Sequence, residues 1–130
     1  MKTHKILLVD DDADDQFFFM DAISNIDSSL HCEVANNGIE AIDHLKTIPP
    51  PPSVIFLDLN MPMMNGYECL EKIKQLPEFK EIPVVIFTTS SNPKDKEITK
   101  KLGAKIFLTK TSDFRQLQIQ LKEILKLELN

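Results

Sequence analysis

Val54-Ile55-Phe56-Leu57-Asp58-Leu59-Asn60-Met61-Pro62 is an aliphatic run that stops at a carboxylate, with a turn behind it. A strand buried on both faces of a parallel sheet reads as such a continuous apolar run, and ligands of open α/β sheets sit just beyond the carboxyl ends of the strands. Asp58 occupies that edge. The same grammar recurs elsewhere: Ile6-Leu7-Leu8-Val9 runs into Asp10-Asp11-Asp12, and two further apolar runs close on Thr88 and on Lys110. Between them lie amphipathic stretches, the alternation expected of βα units that feed one parallel sheet. Strands are predicted over Lys5 to Asp10, Leu30 to Ala35, Ser53 to Asp58, Pro83 to Thr88 and Lys105 to Thr109, so four strand ends converge on one pocket.

The first predicted helix carries Phe18, Phe19, Ala22, Ile23 and Ile26 at helical spacing, behind Asp12, Asp14 and Asp15, whose charge suits a helix N-terminus. Phe17 and Met20 flank that stripe, either exposed beside the acidic strand ends or half-buried against a neighbour. The second helix opens at Asn36-Asn37-Gly38, runs through Ile39, Ile42 and Leu45, and stops before Pro49-Pro50-Pro51-Pro52. Those prolines read as a stiff connector extending about 3.1 Å per residue. The third helix begins after Asn65-Gly66 and presents Cys69, Leu70, Ile73 and Leu76 before Pro77. The fourth starts near Ser91-Asn92-Pro93, a cap followed by an N1 proline, and ends at Gly103. The fifth runs from Ser112 almost to the end, with Leu117, Leu121, Ile124 and Leu125 toward the sheet and Ile119 and Leu127 away from it.

A chain of 130 residues, 42% hydrophobic and 27% charged, fits one ordinary globular domain over residues 1–130 with no output domain. Its apolar runs are too short to span a bilayer, and Met1-Lys2-Thr3-His4 leads into the first strand without the apolar segment of a secretory signal. The expected setting is cytoplasmic, where Cys32 and Cys69 stay reduced. A net charge of −5 without a basic stripe argues against direct nucleic-acid binding.

Three carboxylates, Asp10, Asp11 and Asp58, brought within a few ångströms raise one another's pKa, a conflict that a hard divalent cation resolves. So sparse a set suits Mg²⁺, which keeps waters and takes one or two protein carboxylates, better than a full protein cage, and the His and Cys ligands of Zn²⁺ are missing from these strand ends. Lys110 adds a positive point charge and Thr88 a hydroxyl donor, the complement an anionic group on Asp58 requires. Phosphoryl transfer depends on positioning and charge neutralisation, and a cation with a lysine supplies both. Each residue alone has a plainer reading: Asp10-Asp11-Asp12 as a solvated helix start, Thr88 as a strand residue, Lys110 as a surface lysine. Their convergence favours the pocket.

In this order Val9-Asp10-Asp11, Leu57-Asp58-Leu59-Asn60-Met61-Pro62 with Asn65-Gly66, Phe87-Thr88 and Phe107 through Lys110 make the whole chain resemble the receiver domains of two-component response regulators, the CheY-like family. The resemblance implies a doubly wound, flavodoxin-like parallel sheet of five strands in order 2-1-3-4-5 with five helices. It implies that Asp58 accepts a phosphoryl group from a phosphohistidine, on a sensor histidine kinase or a histidine phosphotransfer protein. Asp11 and Asp58 would ligate Mg²⁺ directly, Asn60 through its backbone carbonyl and Asp10 mainly through water. Thr88 and Lys110 would hold the phosphoryl oxygens, and Phe107 would turn into space that Thr88 vacates. The output would pass to a downstream protein target, or a homodimer, through the fourth helix, fifth strand and fifth helix. Phe107 as a plain core residue remains the competing reading.

Two positions depart from the usual pattern. Thr111 stands after Lys110 where the family usually has a proline behind a cis bond. A cis bond to a non-proline residue costs about 2.5–4 kcal/mol, so a trans Lys110–Thr111 bond is expected, with Thr111 or Ser112 capping the fifth helix. Asn60 is an amide, where a phosphatase of the haloacid-dehalogenase type carries a second aspartate, and Ser90 likewise offers no charge to orient a water. A held aspartyl phosphate, a signal and not an enzyme's turnover, fits better. A metal-dependent aspartyl phosphatase and a degenerate receiver that binds without phosphorylation are the alternatives.

Overall fold

A computed structural model describes residues 4–129. The expected run of residues 1–3 straight into the first strand, and Asn130 after the last helix, lie outside them. The elements alternate as β1 (His4–Val9), α1 (Ala13–Ser24), β2 (Leu30–Ala35), α2 (Gly38–Thr47), β3 (Val54–Leu57), α3 (Gly66–Gln75), β4 (Val84–Thr88), α4 (Pro93–Lys101), β5 (Ile106–Thr109) and α5 (Phe114–Leu129). The five strands form one parallel sheet in order β2-β1-β3-β4-β5, as expected.

Strand alternation explains why the aliphatic runs have no polar phase. Leu7, Val9, Ile55, Leu57, Val84 and Ile86 face one core with Ala41, Leu45, Leu70 and Ile73 of α2 and α3. Ile6, Leu8, Val54, Phe56, Val85 and Phe87 face the other with Phe19, Ile23, Leu117 and Leu121 of α1 and α5. Both faces of the central strands are covered, so every position is apolar. On the α1 side Phe56 meets Phe19 edge-on at a centroid distance of 4.9 Å, and Phe87 lies 5.5 Å from Phe19.

Helix starts follow local chemistry. Asp12, Asn37, Asn65 and Asn92 each accept from a backbone N–H of the first turn, and Asn65 with Glu68 forms a reciprocal capping box. The α5 start differs from expectation. Asp113 is the acceptor for Gln116 N at 3.0 Å, while Thr111 Oγ1 accepts from Asp113 N, so the helix begins at Phe114 and not at Ser112. A carboxylate outcompetes a hydroxyl for the helix's free amides. Strand limits move by a residue because Asp10 and Asp58 extend the ladder through their amides alone, to Ala35 O and Val9 O. Pro49–Pro50 is the only cis bond among the described residues, so Lys110–Thr111 is trans. Gly103 takes φ 107° after α4, a conformation glycine adopts freely. Among the described residues no helix is long and apolar enough to cross a membrane.

Candidate functional site

In the order 2-1-3 the chain reverses direction across the sheet between β1 and β3, which opens a crevice beyond their carboxyl ends. Asp10 follows β1 there and Asp58 follows β3; both are buried, whereas Asp11 is exposed. A carboxylate oxygen from each of Asp10, Asp11 and Asp58 lies within 4.8 Å of the other two. All donors are hard oxygens and one side of the cluster is open at Asp11, a set that fits a divalent cation retaining waters. Burial pushes the Asp10 carboxyl above its usual range, against the lowering effect of hydrogen bonds from Lys110 and from Asp12 N.

The lysine reaches this cluster with a trans peptide behind it. Lys110 Nζ stands 2.8 Å from Asp10 Oδ2, 2.8 Å from Asp15 Oδ2 and 3.3 Å from Asp58 Oδ2. Burial would lower its pKa, but the hydrogen bonds to Asp10 and Asp15 and the charges of Asp58 and Asp10 outweigh that and raise it, so the ammonium stays charged. Its backbone N–H donates to Thr88 O at 2.7 Å, which ties the loop after β5 to the end of β4. The Phe87 ring lies beneath, 5.5 Å from Nζ to centroid.

The remaining predicted residues divide. Asn60 is exposed and its backbone N–H points at Asp58 Oδ1 across 3.4 Å, at the margin of hydrogen bonding. Thr88 is fully buried at the end of β4, its Oγ1 facing Ser90 N at 3.5 Å. Phe107 on β5 packs half-buried against the α3-side core, with Lys96 Nζ 5.7 Å above its ring. Phe17 and Met20 are both exposed on α1, and Ile119 and Leu127 on α5.

Gly66, the first residue of α3, backs onto the acceptor loop. A Cβ there would stand 2.3 Å from Asp58 O and 2.6 Å from Leu59 Cα, so only glycine lets α3 start this close behind Asp58. Next to it, Tyr67 OH donates to Asp95 Oδ1 in the first turn of α4, and Ser90 Oγ donates to Asp95 Oδ2. These two hydrogen bonds hold the Asp95 carboxyl below its usual range, Ser90 contributing most.

Sequence reasoning missed two participants. Asp15 reads as one more acidic residue at a helix start, and only the fold brings it to Lys110, 95 residues away. The Tyr67–Asp95–Ser90 connection joins α3 to α4 and to the loop before it, and has no sequence signature.

Comparison with known proteins gives a consistent result. Residues 6–122 match the family described as response regulator receiver domain. Response regulator Rcp1 of Synechocystis sp. is 36% identical over 119 residues, covering 86% of this chain and 80% of that one. The crystal structure of the phosphorylated cyanobacterial phytochrome response regulator RcpA superposes with a TM-score of 0.90 at 31% identity, over 99% of this chain and 96% of that one. The Mn(2+)-bound form of response regulator Rcp1 gives a TM-score of 0.80 at 33% identity, over 95% and 92%.

Proposed function

The chain belongs to the family of response regulator receiver domains of two-component signalling, and from that premise we propose that Asp58 is its phosphoacceptor and that it works as a stand-alone receiver. The observation that carries this reading is the convergence of the Asp10, Asp11 and Asp58 oxygens with the Lys110 ammonium at the ends of β1, β3 and β5. The donor is a phosphohistidine on a sensor histidine kinase or a histidine phosphotransfer protein. An Asp58 carboxylate oxygen attacks phosphorus, the P–N bond breaks, and the imidazole leaves with the electron pair.

Asp11 and Asp58, with Asn60 O and with Asp10 through water, would hold a divalent ion, Mg²⁺ by the hardness of the set. Bound there, the ion neutralises charge on the carboxylates and on the transferring group. Lys110 supplies a movable ammonium for one phosphoryl oxygen, held charged by its carboxylate partners. Thr88, at the end of β4, offers its hydroxyl to another, and Phe107, opposite Ile86 on the neighbouring strand, would repack when Thr88 turns. The change reaches a protein target through α4, β5 and α5, a face equally open to homodimerisation; a cytoplasmic setting goes with this role, with no membrane partner and no direct contact to nucleic acid.

Asn60 supports storage of the phosphoryl group over turnover, since an amide cannot act as general base for water. The test is incubation with Mg²⁺ and a small-molecule phosphodonor, followed by intact-mass measurement. One added phosphoryl group, absent from Asp58→Ala, is expected. Phosphate release without an adduct would favour the phosphatase, and no reaction in either protein would favour the degenerate receiver.

A further inference from the structure

An ammonium has three N–H donors, and Lys110 commits one to each of Asp10, Asp15 and Asp58. Two of these carboxylates belong to the cluster that would hold a divalent cation; Asp15 does not. It sits in the first turn of α1, where Asp12 Oδ1 accepts from its backbone N–H at 3.0 Å, so the helix cap fixes its place. Its side chain is 41% exposed, while that of Lys110 is only 10% exposed. Thr111 is turned away to the α5 start and gives the lysine no support.

We propose that Asp15 is a positioning residue for Lys110: it holds the ammonium at the pocket when a divalent cation occupies Asp10, Asp11 and Asp58, so that cation and lysine do not compete for the same oxygens. The proposal rests on the reading of the site as a cation-dependent phosphoacceptor. A cation at the cluster draws on the two carboxylates that otherwise hold the lysine, and it repels the ammonium across a few ångströms. Without Asp15, Lys110 stays on Asp10 and Asp58 at the cation's expense. With Asp15 it has a partner outside the cluster, from which it swings to a phosphoryl oxygen on Asp58. An ion pair with so exposed a partner adds little to stability, so the signature of this role is coupling to the cation and not a melting temperature.

The test is a double-mutant cycle on the full chain, reading Mg²⁺ affinity by calorimetric titration of the wild type, Asp15→Asn, Lys110→Met and the double variant, with circular dichroism confirming each fold. Asp15→Asn should weaken Mg²⁺ binding about fivefold when Lys110 is present and by less than about twofold when it is methionine. Asp15→Ser, also accepted in a helix first turn, should repeat the pattern. Equal weakening in both backgrounds would overturn the proposal, because Asp15 would then act as a distant charge; so would no weakening in either. A wild-type protein that binds no Mg²⁺ would overturn the functional reading itself, a result distinct from both.

Discussion

Replacing Gly66 by alanine tests the geometry behind Asp58 more directly than any change within the pocket. The added methyl would stand 2.3 Å from Asp58 O, 2.6 Å from Leu59 Cα and 3.0 Å from Asp58 C, against ordinary contacts of 3.4 Å or more. The worst overlap is about 1 Å, and all three neighbours are backbone, so no side chain can rotate out of the way. Overpacking of this kind costs about 1–3 kcal/mol, and with three backbone clashes the upper end applies; alanine's better helix propensity returns up to ~1 kcal/mol. A net loss of about 2 kcal/mol should lower Tm by roughly 6–8 °C in a domain of this size. The same displacement moves either α3 or the acceptor, and a misplacement near 1 Å at a reacting group costs on the order of 100-fold in rate. Thermal melting and the rate of adduct formation from a small phosphodonor read the two effects separately. A fall in Tm with an unchanged rate would identify α3 as the part that yields. Wild-type Tm together with a wild-type rate would refute the claim that close backbone approach requires glycine here.

Phe56→Ala, which empties the fully buried site between Phe19 and Phe87, should cost about 3–5 kcal/mol by urea unfolding; a loss below about 1 kcal/mol would contradict the packing. Met63 is exposed with φ 67°, so Met63→Gly should relieve left-handed strain and raise stability by about 0.5–1 kcal/mol after glycine's own entropy cost, and a drop would count against it. Burial works to raise the Glu33 pKa, but hydrogen bonds from Lys5 and His31 and the charges of Lys5 and His44 hold it below its usual 4.5. The folded value thus lies under the unfolded one, and the stabilisation is present above pH 4.5 and lost as pH falls through the folded value. The stability gap between wild type and Glu33→Gln should accordingly shrink between about pH 5.5 and about pH 2.5; equal gaps at both would show that the ion pairs contribute nothing.

The central strands are legible in the chain before any fold is known. Ile6 to Val9, Val54 to Leu57 and Val84 to Phe87 are apolar at every position because both faces of those strands are covered, and that composition is visible without coordinates. It also marked the strand ends, since a carboxylate directly after such a run has nowhere to sit but the rim of the sheet. Which groups touch at that rim is set by the fold. Asp15 and Lys110 are 95 residues apart and Tyr67 and Asp95 are 28 apart, so no periodicity links either pair. The α5 cap fell to Asp113 because several acceptors compete for the same few amides and geometry selects among them. Local patterns record burial, which each residue carries in its own side chain; pairing between charges depends on the distances that the fold alone sets.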